Sequence, residues 1–313
     1  MKNMKHASGL LLPVMVVIIL IISGCSKQRI EQKSVKEYDS QATNNYLDSK
    51  KQQEQQFTID STGSGPIVGN QGTTIAGTKN CLMFPNGDTV AFPFIIKLVE
   101  LYTPKDMIYY QMPTVASDTI METDGEIRVR AYKNGTELML KPGCDYAITM
   151  PNAAPKNYMH VFYGFASSGY TNWTDNPAAL GVSTSVNPVF STNTNYYAAQ
   201  IAKLGWINCG YKRGSNTNHS LTFASSTDNL ANVSIFVYFP TTNPARAGVM
   251  QVRNLVSGSI PNGSSVKVIA IGVDASGQLF SFNKTLTVNN NEKIEVTMAA
   301  ITDADLTTFL NGL

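Results

Sequence analysis

Glu126-Ile127-Arg128-Val129-Arg130-Ala131-Tyr132-Lys133, then Asn134-Gly135, then Thr136-Glu137-Leu138-Met139-Leu140, is the stretch that decides the fold. Ile127, Val129 and Ala131 alternate with Arg128, Arg130 and Tyr132. Successive strand side chains point to opposite faces, so this spacing buries one face and wets the other. Asn-Gly supplies the two positive-φ residues of a type I′ hairpin turn. Lys141-Pro142-Gly143 turns the chain again into Tyr146-Ala147-Ile148-Thr149-Met150, and Pro151 ends that run. Hairpins at this spacing predict an antiparallel sandwich.

The pattern extends in both directions. Phe94-Ile95-Ile96-Lys97-Leu98-Val99-Glu100-Leu101-Tyr102 reads as an apolar strand ended by Thr103-Pro104. Before it, residues 80–84 form a short strand closed by the turn Pro85-Asn86-Gly87-Asp88. Residues 158–163 are a further strand candidate, and residues 196–203 read equally as strand or short helix. The last third returns to clean strands at 233–239, 248–255, 266–273, 278–288 and 292–298, the third and fourth joined through Asp274-Ala275-Ser276-Gly277. By pattern it is similar to a transthyretin-like or carboxypeptidase-regulatory-like sandwich. Thr302 and Asp305 take the cap and capping-box positions of a terminal helix, and Leu306, Phe309, Leu310 and Leu313 form its apolar stripe. The expected fold is all-β: two antiparallel β-sandwich domains, Ig-like or transthyretin-like, with a short C-terminal helix. One sandwich is expected over 66–155 and the other over 231–313, with an aromatic, turn-rich β region over 156–230.

The first 25 residues carry an address. Lys2 and Lys5 precede an apolar run over 10–22, and small residues then precede a cysteine, the order of a secretory signal. The run falls short of the ~20 residues needed to span a bilayer. Ile22-Ser23-Gly24-Cys25 resembles a bacterial lipobox, which implies that residues 1–24 are a signal peptide and that Cys25 becomes an acylated N-terminus. Two or more acyl chains make a stable anchor where one is marginal. The alternative is an ordinary cleaved signal with a chance cysteine. Ser26 follows, with neither an aspartate nor an acidic cluster, so the expected location is the outer membrane, on its periplasmic or its surface face. Residues 25–65 are polar, and Lys50-Lys51-Gln52-Gln53-Glu54-Gln55-Gln56 offers no face that could pack. The expectation is a flexible tether spanning about 35 Å, with at most a marginal helix around 34–47.

Losing the leader's two lysines takes the formal charge from +2 to zero. A neutral chain has no electrostatic footprint for nucleic acid. Only 15% of residues are charged, a balance typical of secreted β proteins. With Cys25 acylated, Cys81, Cys144 and Cys209 remain. Export makes a disulfide chemically possible. Three buried thiols are the favoured expectation, because cysteine packs as a small apolar residue. Cys81 with Cys144 is the first pairing to test, since both fall in one expected domain.

Five segments carry a family resemblance: Gly72-Thr73-Thr74-Ile75, residues 94–102, Asp106-Met107-Ile108, Met121-Glu122-Thr123-Asp124-Gly125-Glu126-Ile127, and Glu137-Leu138-Met139-Leu140-Lys141-Pro142-Gly143. Together they resemble the ZU5-like β-sandwich region of bacterial surface lipoproteins, with Asp124-Gly125 where such modules often carry Gly-Gly. Gly169-Tyr170-Thr171-Asn172-Trp173 and Leu204-Gly205-Trp206-Ile207-Asn208-Cys209 are similar to segments of the same lipoproteins. The resemblance covers about a third of the chain and implies an interaction module with no catalytic residues.

Sequence motifs for hydrolases, P-loops, dinucleotide sites and HExxH zinc centres are absent. His160 and His219 are too dispersed for a metal cluster, and His160 reads as a packed strand residue. Asp274-Ala275-Ser276-Gly277 lacks the further carboxylates of a calcium loop and reads as a turn. Glu100, Asp106 and Glu122 would need to converge in a cleft to do acid–base work. No enzyme, cofactor or metal is therefore expected. The function expected is that of a lipid-anchored, non-catalytic structural or adhesive protein-interaction module. The alternative is glycan binding by Tyr163, Tyr170, Trp173 and Trp206, weighed against plain core packing of these aromatics. Asp60-Ser61-Thr62, Asp88-Thr89-Val90 and Asp118-Thr119-Ile120 resemble a short O-glycosylation sequon of some Gram-negative periplasms, which would place sugar on Ser61, Thr89 and Thr119.

Overall fold

The alternation at 127–131 lies in the central strand of a nine-stranded sheet. The computed structural model describes residues 35–62, 65–117, 119–167, 170–182, 186–212, 217–240 and 248–313. The expected signal peptide, the lipobox-like motif and Cys25 lie outside them. The main path of the first sheet runs β1 (Gln55–Ile59), β3 (Phe94–Leu101), β4 (Thr119–Lys133), β10 (Gly205–Lys212), β7 (His160–Ser167) and β8 (Tyr170–Thr174). β5 (Thr136–Leu140) pairs with β4 through the expected Asn134-Gly135 turn, whose φ values are 51° and 79°.

A second sheet of five strands is built on β2 (Thr74–Ala76), β6 (Tyr146–Pro151) and β9 (Tyr196–Ile201). Its inner face meets the first sheet through Ile75, Ile148, Met150 and Tyr197, which pack on Ile96, Leu98, Ile127, Val129 and Val161. That closes one sandwich. The third sheet contains β13 (Gly248–Gln251), β12 (Ser234–Phe239), β14 (Ser264–Val273) and β15 (Leu279–Val288). One of its faces, with Ile235, Val237 and Val268, packs with the parallel pair β11 (Leu221–Ala224) and β16 (Glu292–Glu295). The other face, with Phe236, Ile269 and Ile271, packs with Val99, Leu101, Phe162 and Trp173 from the outer face of the first sheet.

Helices fill the same layer: α1 (Ser40–Ser49), α2 (Pro104–Tyr110) and α3 (Asp303–Asn311) bring in Leu47, Ile108 and Leu306. The terminal helix has its expected cap, the Thr302 hydroxyl accepting from the Asp305 amide at 3.1 Å. The protein is all-β, with antiparallel sheets and a short C-terminal helix.

Three expectations are corrected. The tether over 25–65 is folded wherever it is described. Asp39 caps α1 by accepting from the Ala42 amide, Thr43 and Leu47 bury one turn apart, and Tyr38 is 3% exposed. Two or three well-placed apolar contacts outweigh the polar average here, because the helix packs on ready-made sheets. β1 then joins the first sheet as an edge strand, with Phe57 and Ile59 packed on its core.

The aromatic, turn-rich β region expected over 156–230 does not stand apart from the sandwiches. β7, β8 and β10 complete the first sheet, β9 completes the second, and β11 belongs with the C-terminal strands. Strand pairing across distant sequence cannot be read from local pattern. Residues 196–201 resolve to strand. Cys81 and Cys144 form a disulfide and Cys209 is buried outside that bridge, so three buried thiols is the wrong count.

Candidate functional site

Two of the four nominated aromatics are core. Trp173 is 1% exposed and donates its indole N–H to the Pro113 carbonyl at 2.7 Å. Tyr163 is 3% exposed and its hydroxyl accepts from the Ala202 amide at 3.1 Å. Both rings are spent on packing, as the polar tip of a buried aromatic usually finds a partner. Tyr170 and Trp206 are different: both are half-buried and line one surface cavity of about 440 Å³.

Local structure explains that cavity. Trp206 sits on β10 beside Gly164 of β7, on the outer face of the first sheet. A Cβ at residue 164 would lie 2.7 Å from the Trp206 Cβ and 3.0 Å from a Thr171 methyl carbon. The missing side chain lets the indole lie low across the neighbouring strand, and backbone forms part of the groove lining. Phe165, Ala166 and Thr171 continue the lining. The opposite wall is the C-terminal end of α2, where Gln111 ends the helix in the left-handed conformation (φ 52°).

The indole is held on two sides. The Arg128 guanidinium lies 5.0 Å from its centroid, and the Tyr110 ring meets it edge-on at 6.0 Å. Arg128 in turn bonds Glu54 at 3.2 Å, and Arg130 bonds the same carboxylate with 2.6 and 2.7 Å contacts. Burial pushes the Glu54 carboxyl up, but the Arg130 hydrogen bond and the charges of Arg128, Arg130 and Lys97 together hold it below its ordinary value. Burial raises the Tyr110 phenol despite the opposing Arg128 charge, so it remains a neutral donor, bonded to the Gln52 carbonyl at 2.6 Å. Tyr110, Arg128 and Glu54 were not singled out in the sequence. Arg128 was visible as an outward residue of the alternating strand, but nothing local brings Gln52 and Glu54 to it.

Tyr170 also lines a second cavity, of about 530 Å³, so its ring is a wall common to both. Arg253 covers it with its guanidinium 3.5 Å from the ring centroid. Beyond Tyr170 the lining of the second cavity is mixed, with Asn218, His219, Ser259 and Asn291 beside Val115 and Met250. His219 is bonded to Asn262 at 3.0 Å, and Asn291 accepts from the Ser220 amide at 2.9 Å.

The acids considered for catalysis all serve structural partners. Glu100 is fully buried and accepts from the amides of Gln71 and Thr73 and from Gln55. Glu122 pairs with Lys156, and Asp106 bonds Thr103 at the start of α2. Asp274 forms the expected turn, accepting from the Ser276 and Gln278 amides. His160 lies in β7 with its Nδ1 3.7 Å from Asp175. Among the described residues no group of three or more His, Cys, Asp or Glu side chains could hold a metal ion. Ser61 and Thr89 are exposed, while Thr119 is half-buried in β4.

Fold and groove together define a layered all-β sandwich protein with an aromatic-lined groove on the outer face of its largest sheet. Comparison with protein-family models, curated proteins and solved structures finds no match to this chain.

Proposed function

We propose that this chain is a lipid-anchored, non-catalytic cell-envelope protein that binds carbohydrate through the groove at Trp206 and Tyr170. The observation that carries the reading is the half-buried indole of Trp206, braced by Arg128 and Tyr110 beside a glycine strand. A flat aromatic held rigid at a groove wall stacks on the C–H face of a sugar ring at little entropic cost. Gln111 and Thr171 in the same groove, and Asn218 and Asn291 in the cavity beyond Tyr170, offer amides and a hydroxyl that suit sugar hydroxyls. The two cavities meeting at Tyr170 suit a chain of sugars better than a single ring.

The envelope address rests on the lipobox-like motif ending at Cys25 and on the zero formal charge after leader removal. A glycan array probed with the folded protein tests the ligand class: one glycan type retained by wild type and lost with Trp206→Ala supports the reading. Binding to envelope proteins on crosslinking, with no glycan retained, returns the chain to the adhesive protein-interaction reading. The anchor is tested separately: Cys25→Ala should abolish incorporation of labelled fatty acid.

A further inference from the structure

We infer that the first sandwich holds a second site, open at one end between its two sheets, for an anionic amphiphile: an apolar chain with one acidic head group. It is independent of the aromatic groove. A cavity of about 620 Å³ opens there, lined by Ile59, Phe94 and Ile96 of the first sheet and by Ile67 and Ile75 of the second. Ligand sites are typically clefts of about 300–1,000 Å³, mostly apolar, with a few placed polar groups. This cavity fits that description.

Its walls are core residues left partly unfilled. Ile75, Phe94 and Ile96 are at most 3% exposed, whereas Ile59 and Ile67 are half-buried and Phe92, stacked on Phe94 at 5.7 Å, is 38% exposed. Deeper in, Tyr146 sends its hydroxyl to the Thr78 carbonyl at 3.3 Å, so the phenol offers its apolar ring. Burial raises its pKa, and it stays neutral.

Thr78, Lys79 and Asn80 are the polar side chains of the lining besides the Tyr146 phenol, and Lys79 is the cation among them. Lys79 lines the cavity with its Nζ 5.4 Å from the Phe92 centroid, and no carboxylate pairs with it among the described residues. Its place in the chain is fixed: it opens the 3-10 turn Lys79–Cys81, which the Cys81–Cys144 disulfide ties to the turn after β5. An ammonium beside an apolar cleft complements a carboxylate or phosphate whose chain lies inside.

Shape excludes the other apolar occupants. Packed sheets lie about 10 Å apart, so the gap takes one thin chain and not a helix of about 10–12 Å diameter. An extended peptide would carry unpaired amides into an apolar slot, which is costly. A methylene chain has no such groups to satisfy.

Calorimetric titration of the folded protein with dodecanoate, below its micelle concentration, tests the site. Dodecanoate should bind saturably at one per chain, and dodecylammonium about fivefold or more weakly, the scale of one partly exposed charge pair. Lys79→Gln should remove that difference while keeping the fold, and Ile67→Trp, which fills the slot from a half-buried position, should abolish binding of both. Absence of saturable binding to wild type overturns the site, as does equal affinity for the two head groups. Dodecanoate binding that survives Ile67→Trp in a protein with unchanged melting places the ligand elsewhere and overturns it too. Trp206→Ala should leave dodecanoate affinity unchanged, which separates this site from the glycan groove.

Discussion

Gly164 and Trp206 lie side by side on neighbouring strands so closely that a Cβ on the glycine would stand 2.7 Å from the tryptophan Cβ. The atom met is the root of the indole side chain, which cannot swing aside. Gly164→Ala should therefore displace Trp206 from the groove and weaken glycan binding tenfold or more, at a stability cost of about 1–3 kcal/mol. Chemical denaturation and array titration on the same protein read both effects.

The two tryptophans should separate cleanly. Trp173→Ala removes a fully buried ring and its bond to the Pro113 carbonyl, so it should lose about 3–5 kcal/mol or fail to fold. Trp206→Ala should cost about 1 kcal/mol, the scale of its edge-on and cation contacts, and should lose ligand. Melting temperatures of the pair check the order.

Glu126 offers a pH test. It is fully buried on β4, takes one hydrogen bond from Asn208 at 2.9 Å, and its other oxygen has no partner among the described residues. Burial pushes its pKa well above the ordinary 4.5, against the lowering effect of Asn208. The folded state therefore holds a proton that the unfolded chain releases. Stability is fully present below the unfolded value and falls as pH rises through the folded one. Glu126→Gln, a neutral mimic, should flatten that slope and raise the melting temperature at pH 8, by about 2 °C for each kcal/mol recovered. At pH 4 the two proteins should melt alike.

Removing the disulfide tests the first sandwich. Cys81 and Cys144 are 63 residues apart, and closing a loop of that size stabilises by about 2–4 kcal/mol through the unfolded chain. Cys81→Ser with Cys144→Ser should fall by that amount, and a reductant should lower wild type equally and the double variant not at all.

Much of the fold was legible because it is local. The alternation at 127–131, the Asn134-Gly135 turn and the Thr302 cap each depend on neighbours within a few residues. α1 was expected only as a marginal helix because its packing rests on Tyr38, Thr43 and Leu47 meeting distant partners such as Asp228, which bonds the Tyr38 hydroxyl across 190 residues. The site was half legible. Trp206 and Tyr170 carried a compositional signal, but nothing in sequence told them from Trp173 and Tyr163, because alternation names a face without saying what covers it. Arg128 joins Trp206 only through strand order, which places β10 beside β4, and Tyr110 reaches it only through the packing of α2.

The most direct test of the central claim is tryptophan fluorescence during titration with the glycan that the array selects. A sugar stacking at the groove should change the emission of wild type and of Trp173→Phe in a saturable way, and leave Trp206→Phe silent. An emission change that persists in Trp206→Phe, or saturable glycan binding that leaves Trp206 emission untouched, would contradict the account.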